Sequence, residues 1–154
     1  MSTPQIMINH PGDGAAIMAR VGGLFNETTD HCISLHRDGI LQGGVVYTGF
    51  LHASIMLHMA GNETNWATRD FLWMVFDYAF NQLGCRKLIG LVPAWNFRAL
   101  RVDDHLGFRE EARLTGMLTD PEEDLIVLTM TKDQCSWLKL VPKHYRSNQM
   151  NWVN

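Results

Sequence analysis

A chain of 154 residues with 46% hydrophobic and 19% charged side chains suits one globular domain, long enough to bury about two thirds of its unfolded surface without a metal or a disulfide. A net charge of −3 gives no electrostatic reason to expect a nucleic-acid groove, and the lack of any run of about eighteen apolar residues argues against a membrane-spanning helix. Cys32, Cys85 and Cys135 are odd in number, far apart and without C-x-x-C spacing, so zinc and a disulfide framework are poor readings. The expectation is reduced, buried thiols in the cytoplasm, with no metal.

The opening MSTPQIMINHPGDG lacks the basic-then-apolar pattern of a secretory signal. From Asp13, the spacing of Ile17, Val21, Leu24 and Phe25 predicts a first helix, weakened at its end by Gly22-Gly23. CISLH, ILQGGVVYTGF and HASIMLHMAG read as three strands. Asp38-Gly39 supplies a hairpin turn between the first two and Gly49 loosens the next connection, which makes an antiparallel meander.

Beyond Arg69, Leu72, Val75, Phe76, Ala79, Phe80 and Leu83 recur at helical spacing up to Gly84, a C-cap residue. KLIGLVP is a short apolar strand reached through that helix, so it lies parallel to the strand before it. NFRALRVDDHL is a helix capped by Asn96 and ended by Gly107. FREEARLTGML and DLIVLTMT flank the Asp120-Pro121 turn as a final hairpin. The sum is an α/β domain over residues 1–138 with a mixed sheet, followed by a polar tail, 139–154.

The stretch NFRALRVDDHLGF resembles the late motif of the GCN5-related N-acetyltransferases (GNATs), in which an asparagine, an Arg-Ala pair and a terminal Leu-Gly-Phe recur in this order. FDYAFNQLGCRKLIGLV and LGFREEARL extend the similarity on both sides, over roughly Ile33 to Thr131, most like the ribosomal-protein N-terminal acetyltransferase branch. The resemblance implies a single-domain GNAT fold and acetyl-CoA in a cleft where strands 53–60 and 87–93 splay apart. Pantetheine would hydrogen-bond there to the free backbone around Leu57 and Met59, and the pyrophosphate would sit on the helix beginning near Thr68. It also implies an amine acceptor at a protein N-terminus, on a peptide or on a small molecule, with no nucleic acid or membrane. Pairing into a homodimer would go through the last strands, because an apolar LIVLTM strand needs its edge covered.

Two departures stand out. The phosphate-binding turn reads GNETNWATRD, so the glycines usual in the family fall on Thr64, Trp66 and Thr68. Thr68 is then expected to cap the helix, while Arg69 with Thr64 or Asn65 contacts phosphate through side chains. Asp103 stands where many relatives carry a tyrosine that protonates the leaving thiolate; a carboxylate serves there only if burial raises its pKa. These departures motivate a second reading, a non-catalytic GNAT-like module, such as a phage-associated structural component, that uses its cleft or tail to bind protein.

Along HASIMLHMAG, His52, Ser54, Met56 and His58 alternate onto one face, and Ala53, Ile55, Leu57 and Met59 onto the other. His58 lies nearest the expected splay and titrates near neutrality, which makes it the candidate base. The Met59 amide is placed to meet the thioester oxygen. Asn96 caps a helix whose positive end faces the cleft, and Arg98 and Arg101, three apart, are candidates for the adenosine phosphates. Trp66 and Trp95 flank the two turns, either lining the acceptor cleft or packing.

Overall fold

The computed structural model describes residues 3–62 and 65–145. Thr64 and the last part of the expected tail, 146–154, lie outside the described residues. The elements in chain order are β1 Gln5–Ile8, α1 Asp13–Arg20, β2 His31–Arg37, β3 Ile40–Leu51, β4 Ser54–Gly61 and α2 Arg69–Asp77, the last continued by a π-helical turn at Tyr78–Gln82. There follow β5 Lys87–Pro93, α3 Phe97–Leu106, β6 Arg109–Leu114 and β7 Leu125–Thr131, then two 3-10 turns at Lys132–Gln134 and Ser136–Lys139. Among the described residues no helix is long and apolar enough to cross a membrane.

One seven-stranded sheet runs β1-β2-β3-β4-β5-β7-β6, antiparallel throughout except for the β4–β5 pair. The expected meander is there as β2–β3–β4. Asp38 and Gly39 both take positive φ, 53° and 75°, the twist that a tight two-residue hairpin turn requires. Gly49 falls inside β3 rather than in the next turn, at a bulge where the register shifts between Thr48 and Leu51. His52 sits in the turn itself with φ 53°, so it leaves the alternating face expected of it.

Other expectations change as well. The first helix stops at Arg20: Gly22 adopts φ 76° and the amides of Gly22 and Gly23 close back on the carbonyls of Ala19 and Met18, a Schellman ending. Val21 and Leu24 are therefore exposed, Leu24 by 92%. The helix expected to run to Leu83 changes pitch at Tyr78, where the Leu83 amide reaches the Tyr78 carbonyl at 2.8 Å. β1 is an added edge strand. The apolar strand β7 has β5 on one side and β6 on the other, so its edge is covered within the chain; the free edge on this side belongs to β6, whose residues are all exposed and largely charged, a composition that discourages strand addition.

Strand alternation sends side chains to two faces with different covers. Ile33, Val45, Tyr47, Ile55 and Leu88 point toward α2 and join Phe71, Val75 and Phe76 in the main core, against which Ala99, Leu100 and Leu106 of α3 also pack. Cys32 and Val46 point the other way, toward Ile17 and Met18 of α1. Tyr47, fully buried, donates its hydroxyl to the Val75 carbonyl at 2.6 Å, pinning β3 to α2. Past β7 the chain returns to the core: Trp137 donates Nε1–H to the Leu106 carbonyl at 2.9 Å, and the Tyr145 ring stacks near Trp73 at 5.0 Å.

Candidate active site

The sheet itself makes a fork. β4 and β5 pair only through Ser54–Lys87, Ile55–Leu88 and Met56–Ile89. Beyond that point β4 stays with β3 as far as Gly61 opposite Gly43, while β5 stays with β7 as far as Pro93 opposite Leu125. The two central strands thus diverge, each held by its outer neighbour. On its β5 side the segment Leu57–Gly61 has no strand partner, and such backbone offers amides and carbonyls to an extended ligand.

Two helices begin at the mouth of this fork, because α2 follows the C-terminal end of β4 and α3 that of β5. Each carries the cap expected from sequence. Thr68 Oγ1 accepts from the Phe71 amide at 3.1 Å, and Asn96 Oδ1 accepts from the Ala99 amide at 3.2 Å. A cap of this kind satisfies one of the orphan amides and leaves others, with the positive end of the helix dipole, facing outward. Arg69, Arg98 and Arg101 are exposed, and none forms an ion pair among the described residues. They are free to meet an anion at these ends. Asn65 occupies the left-handed region at φ 48°, so a non-glycine residue makes the turn.

Trp66 takes the place of the missing glycine chemistry in an unexpected way. Its indole stands edge to face with Phe71 at 5.1 Å. A Cβ on Gly61 would come within 2.1 Å of the indole and one on Gly43 within 2.7 Å. The permissive glycines are therefore in the strands, and the tryptophan they admit anchors the turn; Trp95, at 58% exposure, does not pack in this manner. Gly61→Ala is expected to cost about 1–3 kcal/mol through overpacking, read as a lower urea midpoint. Adding Trp66→Ala should recover part of that loss, whereas strictly additive losses would show that the indole does not rest there.

The two titratable candidates sit just above the last β4–β5 pair. His58 is half-buried and on the α1 face, sharing it with Val46, its register partner. Its Nε2 lies 2.8 Å from Thr48 Oγ1. Burial pushes its pKa down, with Asp30 pulling in the opposite direction, so the imidazole is neutral at physiological pH. When Nε2–H donates to Thr48, Nδ1 carries the lone pair and can take a proton.

Asp103 belongs to the opposite face. It projects from α3 to where Gly90 leaves β5 bare: a Cβ on Gly90 would stand 3.8 Å from Asp103 Oδ2. It is half-buried rather than solvated like its exposed neighbour Asp104, and burial raises its pKa to about 6. About one molecule in ten then carries the proton at pH 7. The fork therefore has a neutral base candidate on one side of the sheet and a weak acid on the other. α1 lies over β2, β3 and β4, whereas Leu91 of β5, on that same side, is 41% exposed.

Sequence reasoning did not see His31 Nδ1 against the Tyr78 hydroxyl at 2.8 Å, a contact made by the π turn. Such turns add one residue per bond without any composition signal.

Neither a protein-family model nor a curated protein matches the sequence. Solved structures do resemble the fold. A spermidine N-acetyltransferase chimera built from Vibrio cholerae and human sequences superposes with a TM-score of 0.67 at 15% identity, covering 86% of this chain and 98% of that one. Mutant forms of the Vibrio cholerae spermidine/spermine N-acetyltransferase give 0.67 at 14% identity, over 91% and 100%. The Vibrio cholerae spermidine N-acetyltransferase in complex with CoA and spermine gives 0.59 at 17% identity, over 71% and 69%. These neighbours lend no support to the ribosomal-protein branch. What the chain shares with these spermidine N-acetyltransferases is the fold, here a mixed seven-stranded sheet with a forked parallel pair.

Proposed function

We propose that this protein is an acetyl-CoA-dependent N-acetyltransferase acting on a primary amine. The observation that carries the reading is the fork, with an unpaired strand along one arm, two capped helix N-termini at its mouth and titratable groups of opposite role on its two faces. The fit to acetyl-CoA is physical: the free edge of Leu57–Gly61 suits the amide-bearing pantetheine arm, and the ends of α2 and α3, with Arg69, Arg98 and Arg101, suit its phosphates. Asn65 and Thr68 shape the turn between them, so the cofactor is held by caps and side chains in place of a glycine-rich loop.

The thioester supplies an activated acetyl group, and the chain supplies position and proton management. His58 takes the proton that the amine loses as its nitrogen acylates. The Met59 amide donates to the carbonyl oxygen as negative charge gathers there. Asp103 gives a proton to the departing thiolate and is restored from solvent. The products are an N-acetyl amine and free CoA. The fold neighbour that binds CoA and spermine supports a small amine as acceptor. The buried free thiols Cys32, Cys85 and Cys135 fit a reducing cytoplasm.

A thermal-shift titration with acetyl-CoA, CoA and ATP side by side tests the reading. At about a hundred times its dissociation constant a ligand adds about 2.7 kcal/mol, a rise of roughly 5–10 °C for this size. Acetyl-CoA and CoA should give it and ATP should not, after which an amine panel identifies the acceptor. No shift at millimolar acetyl-CoA or CoA would sink the proposal.

A further inference from the structure

A second cluster lies away from the fork, with β3 and β4 standing between. His10 comes from the β1–α1 connection, Asp13 opens α1, and His36 comes from β2. One ligand atom from each lies within 4.8 Å of the other two. Asp13 and His36 are only 6% and 8% exposed, while His10 is exposed. Asp13 Oδ2 accepts from Ser34 Oγ at 2.5 Å and meets His36 Nε2 at 2.7 Å. Its Oδ1 takes no hydrogen bond among the described residues.

An ion pair explains part of this. A buried carboxylate needs partners, and His36 with Ser34 supplies them. The pair does not explain His10, whose ring stands edge to face with His36 at 5.2 Å and makes no hydrogen bond among the described residues. Two imidazoles and one carboxylate with ligand atoms within 4.8 Å of one another offer a donor set found in zinc, cobalt and nickel sites. The Ser34 hydroxyl orients the carboxylate as an outer partner orients a ligand. Tetrahedral coordination at about 2.0–2.1 Å sets ligand atoms about 3.3 Å apart. The Asp13–His36 pair is already closer than that, and His10 is a surface side chain able to close the remaining gap by rotation.

We propose that His10, Asp13 and His36 bind one divalent transition-metal ion, zinc foremost, with the remaining position open to water on the His10 side. The ion ties the β1–α1 connection to β2, so its role is to hold the N-terminal segment on the sheet. This inference is independent of the proposed acetyl transfer.

The test uses tag-free, full-length protein freed of metal by a chelator. Cobalt should bind one equivalent with a visible ligand-field spectrum, zinc should displace it, and zinc should raise the melting temperature. His10→Ala, an exposed change that leaves the buried pair intact, should weaken zinc binding at least tenfold and abolish the melting shift. Absence of saturable cobalt or zinc binding up to submillimolar metal would overturn the proposal. So would zinc binding to His10→Ala as tight as to the parent chain, since the ion would then sit elsewhere.

Discussion

His58→Ala should lower the turnover of the proposed acetyl transfer by about 100- to 10,000-fold, the usual contribution of a positioned general base, and should leave the affinity for CoA within about twofold. The asymmetry follows from geometry. The half-buried ring bonds to Thr48 at 2.8 Å and lies on β4 rather than at either helix N-terminus, so its removal withdraws proton acceptance and not anion binding. The pH profile adds a second readout. Burial lowers the His58 pKa below its ordinary 6.5, so the acidic limb of kcat/KM in the parent protein should fall below the range of a free histidine, and the variant should lose that limb. Steady-state kinetics with a saturating amine, beside a CoA melting titration, measures both. A variant that turns over like the parent would remove His58 from the mechanism.

Asp103→Asn should stabilise the protein at neutral pH while slowing it. Burial raises the folded-state pKa from 3.8 to about 6, so the folded chain binds the Asp103 proton more tightly than the unfolded chain does. Stability from this group is therefore greatest below about pH 4, falls as pH rises toward 6, and is flat above. After discounting for its partial exposure, the ionised carboxylate costs about 2 kcal/mol at pH 7. Asparagine removes that cost, so the melting temperature should rise by about 4–8 °C at pH 7–8 and by nothing near pH 3.5. Turnover should drop by about tenfold or more, because the thiolate must then find its proton in water. A neutral-pH melt equal to that of the parent would mean that the carboxylate is solvated, and with it would go the argument for Asp103 as an acid.

Such a residue, held at a cost to stability, is what active sites collect, and it bears on the choice between an enzyme and a non-catalytic module of the same fold. A carboxylate half-buried against Gly90 and a histidine beside the end of the β4–β5 pairing favour the proposed enzyme over the module. In the stretch that motivated the second reading, Trp66 rests against Gly43 and Gly61 and against Phe71.

Much of the fold was legible in the chain because its signals are local. Three-and-four apolar spacing marked α2, Asn96 and Gly107 bracketed α3, Asp38-Gly39 set a hairpin, and the order of elements implied one parallel pair in an otherwise antiparallel sheet. Where a signal was weak or shared, the reading slipped: four residues are too few to announce β1, no residue pattern encodes the π turn at Tyr78, and Val21 and Leu24 keep helical spacing past the point where Gly22 turns the backbone left-handed. By itself the sequence determined the forked strand pair's place in the chain and the two caps at its mouth, since strand period and cap chemistry act over a few residues. Only tertiary structure decided that His58 and Asp103 face the fork from opposite sides, that Trp66 rests on two glycines from other strands, and that His10, Asp13 and His36 converge. Burial and convergence depend on which distant segments share a face, and in a sheet that is set by register across strands rather than by any neighbour in the chain.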